Sequence, residues 1–147
     1  MAEGNYIKVE FPSLPENVGF SRALVSAFAS QLNFTLPELD EIRTATSEAV
    51  SNAIIHGYEN KMGVVTLEAE IKKGVLTIRI IDHGKGIADI DAAKAVQYST
   101  IPGRYGLGFT FMEAFMDSLD VESELGKGTS VIMTKHPETV CPETGTA

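Results

Sequence analysis

Apolar and polar positions along this chain change period several times, and each change marks an element. Tyr6 to Phe11 alternates like a half-buried strand, and Pro12 and Pro15 end it. From Glu16 to Leu32 the residues Val18, Phe20, Leu24, Val25, Phe28 and Leu32 recur at helical spacing, which predicts a first helix. Thr35 and Glu38 then make a capping box, with Pro37 beside it, at the start of a second helix. That helix carries Leu39, Ile42, Ala45, Ala49, Val50, Ala53 and Ile54, and Gly57 is placed to stop it. Val64 to Ile71 and Val75 to Asp82 have strong β-propensity. Lys72-Lys73-Gly74 joins them tightly, so an antiparallel hairpin is expected.

The pattern weakens from His83 to Arg104, where only a short amphipathic piece, Ile90 to Val96, interrupts the polar and glycine positions. So long a connection inside a small domain reads as a mobile flap. Leu107 to Met116 is helical again, opened by Gly106 and Gly108. Asp120 to Glu124 and Thr129 to Lys135, joined by Leu125-Gly126-Lys127-Gly128, predict a last hairpin. His136 to Ala147 holds Pro137, Pro142 and few apolar groups, the pattern of a flexible C-terminal tail. Residues 1–135 therefore read as a single domain and 136–147 as its tail. The element order implies an α+β fold: a two-layer sandwich with a mixed, mostly antiparallel sheet and helices on one face.

Composition narrows the function. With 147 residues, 44% hydrophobic and 22% charged, the chain is globular rather than disordered. Its formal charge of −8 repels phosphate backbones and argues against direct nucleic-acid binding. A basic partner protein, or a nucleotide carrying its own Mg²⁺, stays open. The single cysteine, Cys141, excludes an intrachain disulfide and a cysteine-based zinc cluster. The opening Met-Ala-Glu-Gly-Asn-Tyr has no signal-peptide pattern, and no apolar run approaches the roughly 20 residues of a membrane span. A cytoplasmic location without membrane contact is the expectation.

Four short segments could carry chemistry. Glu48 and Asn52 are four residues apart and project on one side of the second helix, on a flank of its apolar stripe. A carboxylate can take a proton and an amide oxygen is a hard ligand suited to Mg²⁺, although a solvated helix face has the same look. Asp82-His83-Gly84-Lys85-Gly86 leaves a strand in a way that lets an aspartate accept from an amino group, or simply makes a turn. Gly103-Arg104-Tyr105-Gly106-Leu107-Gly108 opens a helix; it is either an anion site or a hinge, and it matches neither a Walker A loop nor a Rossmann fingerprint. Gly126-Lys127-Gly128-Thr129 alone reads as a hairpin turn. His56 reads as a helix-end residue capping carbonyls rather than as a metal ligand.

Order and spacing say more than any one segment. Glu48-Ala-Val-Ser-Asn52-Ala-Ile-Ile-His56-Gly-Tyr, Asp82-His-Gly-Lys-Gly86, Gly106-Leu-Gly108-Phe and Gly128-Thr129 together resemble the N-box, G1, G2 and terminal Gly-Thr of the GHKL ATPase/kinase superfamily, whose ATP-binding domain is the Bergerat fold. Asn17-Val-Gly-Phe-Ser-Arg22 and Phe109-Thr-Phe-Met-Glu-Ala-Phe-Met-Asp117 are similar to segments of the anti-sigma F factor family, serine kinases of sporulating bacteria. The resemblance implies ATP or ADP with Mg²⁺, the metal on Asn52. It implies that Asp82 meets the adenine amino group, that Gly84 and Gly86 lie against the base, and that Thr129 reaches the adenine or Asp82. The stretch from His83 to Tyr105 becomes an ATP lid, with Arg104, Gly106 and Gly108 near the β- and γ-phosphates. Glu48 becomes the general base toward a serine of an anti-anti-sigma partner, and Arg22 meets the sigma factor and that partner. A homodimer that sequesters the sigma factor is also implied. Two alternatives remain: a general stress-response anti-sigma kinase, and a nucleotide-dependent sigma-binding module without significant kinase activity.

Overall fold

The computed structural model describes residues 4–90 and 105–138. Along them run β1 (Gly4–Pro12), α1 (Glu16–Ala29), α2 (Leu36–Asn52), a π-helical turn (Ala53–Gly57), β2 (Val64–Lys72) and β3 (Val75–Asp82). After the interruption come α3 (Tyr105–Phe115), β4 (Ser118–Glu124) and β5 (Gly128–Lys135). The strands form one sheet in the order β1-β2-β3-β5-β4. Each of its pairings is antiparallel, so the expected parallel admixture is not seen among the described residues.

Strand alternation gives the sheet one apolar face. Val65, Leu67, Ala69 and Ile71 of β2, Leu76, Ile78 and Ile80 of β3, and Val131 and Met133 of β5 are all buried. They share a core with Val25 and Phe28 of α1, Ile42, Ala45, Ala49, Val50 and Ala53, and Phe109 and Met112 of α3. Each Val, Leu, Ile, Phe or Met side chain among them contributes about 1.5–3 kcal/mol when fully buried. The other face carries mostly polar cross-strand rows, one running Lys8, Glu68, Arg79, Ile132, Asp120. One face packed and one solvated is the usual state of an antiparallel sheet. The two-layer α+β sandwich expected from the pattern is the fold observed.

The start of α2 follows from its capping box. Thr35 Oγ1 accepts the Glu38 N–H at 3.2 Å and Glu38 Oε1 accepts the Thr35 N–H at 2.8 Å. Glu38 Oε2 also accepts the Glu138 N–H at 3.0 Å, which ties the chain beyond β5 to the head of α2. Asp117 Oδ2 accepts the His136 N–H at 2.9 Å. The first three residues of the expected tail are thus held, and the remainder lies outside the described residues. Lys135 is buried at the end of β5, where its Nζ donates to Phe115 O at 2.6 Å and pairs with Glu41 at 3.2 Å. A cation there suits the carbonyl end of α3 and closes that helix against α2.

Helix ends differ from the pattern in three places. α1 stops at Ala29 rather than Leu32, and α3 begins at Tyr105 rather than Leu107, so Gly106 lies inside it rather than ahead of it. The run expected to continue as α-helix to Gly57 changes to a π turn at Ala53. Its signature is the Tyr58 N–H bonded to Ala53 O at 3.0 Å. The inserted residue turns Ile55 outward and carries His56 and Gly57 inward, and such turns are common at functional sites.

Thr35→Ala should remove the capping hydroxyl and cost about 1 kcal/mol, within the usual 0.5–2 range. Urea unfolding checks this: the midpoint should fall while the slope stays unchanged.

Candidate functional site

The last turns of α2 place Glu48 and Asn52 beside the start of α3. A methyl built on Gly108 would lie 3.1 Å from Glu48 Oε1 and 3.3 Å from Asn52 Nδ2, so the α3 backbone runs directly against both side chains. Glu48 is half-buried, and burial raises its pKa above the ordinary carboxylate value. Asn52 is only 8% exposed, which corrects the expectation of an open helix flank: α3 closes over it. Its Nδ2 is the one buried side-chain nitrogen or oxygen without a hydrogen-bond partner among the described residues. An unpartnered buried polar group costs about 1–3 kcal/mol, so its retention points to a ligand.

Asp82 ends β3 on the same face, opposite Thr129 of β5 in the sheet register. Its Oδ1 accepts the Gly84 N–H at 2.9 Å. Burial raises its pKa, and the backbone N–H groups of Gly84 and Thr129 oppose that rise. Gly57 lies under the carboxylate; a methyl there would come within 2.7 Å of Asp82 Cγ. A methyl on Gly84 would collide with Gly57 O, and that same oxygen accepts the Lys85 N–H at 2.9 Å. Gly128 has φ +123° and presses on Asp82 O, a position closed to any side chain. Lys85 O accepts the Gly126 N–H at 2.6 Å, so the Gly84–Gly86 loop is also bound to the β4–β5 turn.

Asn52, Asp82 and Thr129 line one cleft, floored by Ala49, Ala53, Ile80 and Val131 and walled by Phe109. Its free volume of about 10 Å³ is no more than one water needs. That space is too small for a ring system as it stands. The polar ends and apolar floor suit a flat heterocycle with an amino group at its edge. Among the described residues no group of three or more His, Cys, Asp or Glu is placed to hold a metal.

The structure thus brings Glu48, Asn52, Asp82, Gly84, Gly86, Gly108 and Thr129 to one end of the helix-covered face. Gly106 lies in the first turn of α3. Arg22 is exposed on α1 and does not line the cleft. Arg104, and the flap beyond residue 90, lie outside the described residues. His56 is buried in the π turn, where burial first and the Lys85 charge second lower its pKa to about 4. Three contributors escaped the pattern: Gly57, Tyr58 and Ser123. Tyr58 Oη accepts the His83 N–H at 2.8 Å and donates to Val64 O at 2.6 Å, clamping the loop after Asp82. The signal for Ser123 was its place at an inward position two residues after Val121.

The histidine kinase-like ATPase domain matches residues 11–135 of the chain. A protein of Clostridium kluyveri named anti-sigma F factor is 53% identical over 133 residues, covering 89% of this chain and 94% of its own length. One of the same name from Thermoanaerobacter pseudethanolicus is 50% identical over 134 residues, covering 90% and 94%. The solved RsbU and RsbW domains of a Mycobacterium tuberculosis protein superpose with a TM-score of 0.65 at 18% identity. That match covers 90% of this chain and 32% of the longer one, and speaks for the fold alone. The chain belongs to the histidine kinase-like ATPase domain family and, within it, to the anti-sigma F factors.

Because folding holds His56 neutral, the unfolded chain binds more protons between pH 6.5 and about 4. Stability conferred by this group is present above pH 6.5 and drains away as pH falls through that window. Wild type should therefore lose about 1–3 kcal/mol relative to His56→Asn between pH 7 and 4. Urea midpoints at the two pH values check it.

Proposed function

We propose that the protein is an ATP-dependent protein serine kinase and anti-sigma factor, a homodimer that sequesters the sporulation sigma factor F and phosphorylates its anti-anti-sigma antagonist on serine. The observation that carries this reading is the pairing of Glu48, a carboxylate of raised proton affinity, with the unpartnered Asn52 amide under the α3 backbone. The names of the relatives support the anti-sigma part. Arg22, exposed on α1 and outside the cleft, is the residue assigned to the partner surface.

In this reading Asp82 accepts from the adenine amino group, Gly84 and Gly86 let the base approach backbone, and Thr129 completes the polar edge. Arg104, Gly106 and Gly108 serve the β- and γ-phosphates, where N–H groups at the start of a helix favour anions. The residues present fit Mg²⁺ in one respect: Asn52 lines the cleft and can offer the oxygen of a neutral amide, and no cluster of His, Cys, Asp or Glu among the described residues would hold the ion alone, as expected for a metal carried by a triphosphate. Bound there, Mg²⁺ would supply charge stabilisation for phosphoryl transfer. Glu48 takes the proton of the attacking serine hydroxyl. Its desolvated carboxylate holds that proton more firmly than an exposed one.

Mixing the protein with Mg-ATP and an anti-anti-sigma protein should yield one phosphoserine by mass spectrometry; no phosphate on the partner would leave a binding module only. Glu48→Gln should keep ATP affinity and lose about 10²–10⁴-fold in kcat, the contribution of a positioned general base. The wild-type rate should rise with pH through an ionisation above the ordinary glutamate range, and this limb should vanish in the variant.

Asp82→Asn should weaken nucleotide binding at least tenfold, since a charge-assisted bond worth about 1.5–3 kcal/mol is lost. Calorimetry with ATP and ADP reads this directly, and unchanged affinity would remove Asp82 from the base pocket.

A further inference from the structure

Ser123 of β4 touches three polar groups. Its Oγ accepts the Ile87 N–H at 2.7 Å, donates to Gly128 O at 3.0 Å, and lies 2.8 Å from Thr129 Oγ1. A hydroxyl has one hydrogen and two acceptor positions. An N–H can only donate and a carbonyl can only accept, so the Ser123 hydrogen goes to Gly128. The contact with Thr129 is then satisfied only if Thr129 donates. That sets the direction of the Thr129 O–H: toward Ser123, with its lone pairs left for the cleft it shares with Asp82. Asp82, as a carboxylate, also only accepts. The edge formed by Asp82 and Thr129 therefore presents two acceptors and no side-chain donor. Such an edge accepts both hydrogens of an exocyclic amino group, whereas a keto oxygen set against the same two atoms is left unpartnered and repelled, and the ring N–H beside it can serve only one of them.

We propose that Ser123 is a positioning residue that sets the preference of the cleft for amino over keto purine nucleotides, by engaging the Thr129 hydrogen. The proposal rests on the nucleotide reading above and adds a specificity element to it. Without the Ser123 oxygen the Thr129 hydroxyl is free to turn and donate, and a keto group at the base edge gains a partner.

The test compares ATP with ITP, which keeps the ribose and triphosphate, carries a keto oxygen in place of the amino group and bears a hydrogen on the adjacent ring nitrogen. Calorimetric Kd values for both are measured on wild type, Ser123→Ala and Ser123→Thr. Wild type should prefer ATP, and the ITP-to-ATP Kd ratio should shrink about tenfold in Ser123→Ala, the size of one exchanged hydrogen bond. Ser123→Thr, which retains a hydroxyl, should keep the wild-type ratio. A merely structural role would weaken both nucleotides in parallel and leave the ratio unchanged, and that result overturns the proposal. If the alanine variant does not fold, Ser123→Cys, with its weaker acceptor, should give an intermediate ratio; an unchanged ratio there overturns the proposal equally. Wild type that binds neither nucleotide overturns the nucleotide reading as well, whereas ATP binding with an unmoved ratio removes only the role of Ser123.

Discussion

The site depends on backbone approaching backbone where no side chain fits. Gly84 sits against the Gly57 carbonyl and Gly128 against the Asp82 carbonyl, so the end of the π turn, the exit of β3 and the start of β5 are drawn to one point. Only then do Asn52 from a helix and Asp82 and Thr129 from two strands share a cleft. A single methyl at either glycine would push these elements apart. The hydrogen bonds around the point, Lys85 N–H to Gly57 O and Gly126 N–H to Lys85 O, need the same closeness. The loop after Asp82 is thus shaped before any ligand arrives, which lowers the ordering cost of binding.

The opposite wall is arranged differently. α3 is fastened at its C-terminal end, where Lys135 holds Phe115 O and reaches Glu41 on α2. At its other end it covers Glu48 and Asn52 through a glycine, with Phe109 filling the cleft. Contact through Gly108 itself carries little side-chain interdigitation, while its neighbour Phe109, like Met112, is fully buried. The space beneath it is no larger than a water, and the unpartnered Asn52 Nδ2 means that this packing leaves one polar group unsatisfied. The closed packing and the vacant hydrogen bond pull in opposite directions, which leaves a ligand able to tip the balance.

The elements were legible because their periods are clean: alternation over β2 and β3, and the Thr35 and Glu38 cap before α2, are local signals that tertiary structure had no reason to override. The four glycine-bearing boxes were legible by spacing. What escaped was whatever depends on non-local geometry. The π turn at Ala53 keeps the same residues as a helix end and differs only in one inserted position. The burial of Asn52 follows from α3 lying over it, which the α2 stripe alone cannot report. Gly57 looked like a helix stop, yet its larger role is to lie beneath Asp82, about 25 residues later.

Two carboxylates of the site have their pKa values raised by the same cause, and their neighbours separate their roles. For Asp82 the effect of burial is opposed by N–H groups from Gly84 and Thr129, which favour the ionised form and hold its oxygens in one place. Such a group is suited to accept from a ligand and poorly suited to shuttle a proton. For Glu48 burial acts without an opposing hydrogen bond among the causes of its shift. Its proton affinity is free to rise, and its Oε1 lies at the rim where α3 crosses α2. Environments that push paired carboxylates apart are how one site assigns an acid–base group and a binding group. That difference supports the proposed assignment of the base to Glu48 and the anchor to Asp82, and exchanging the two would require the N–H groups to sit on the other side of the cleft.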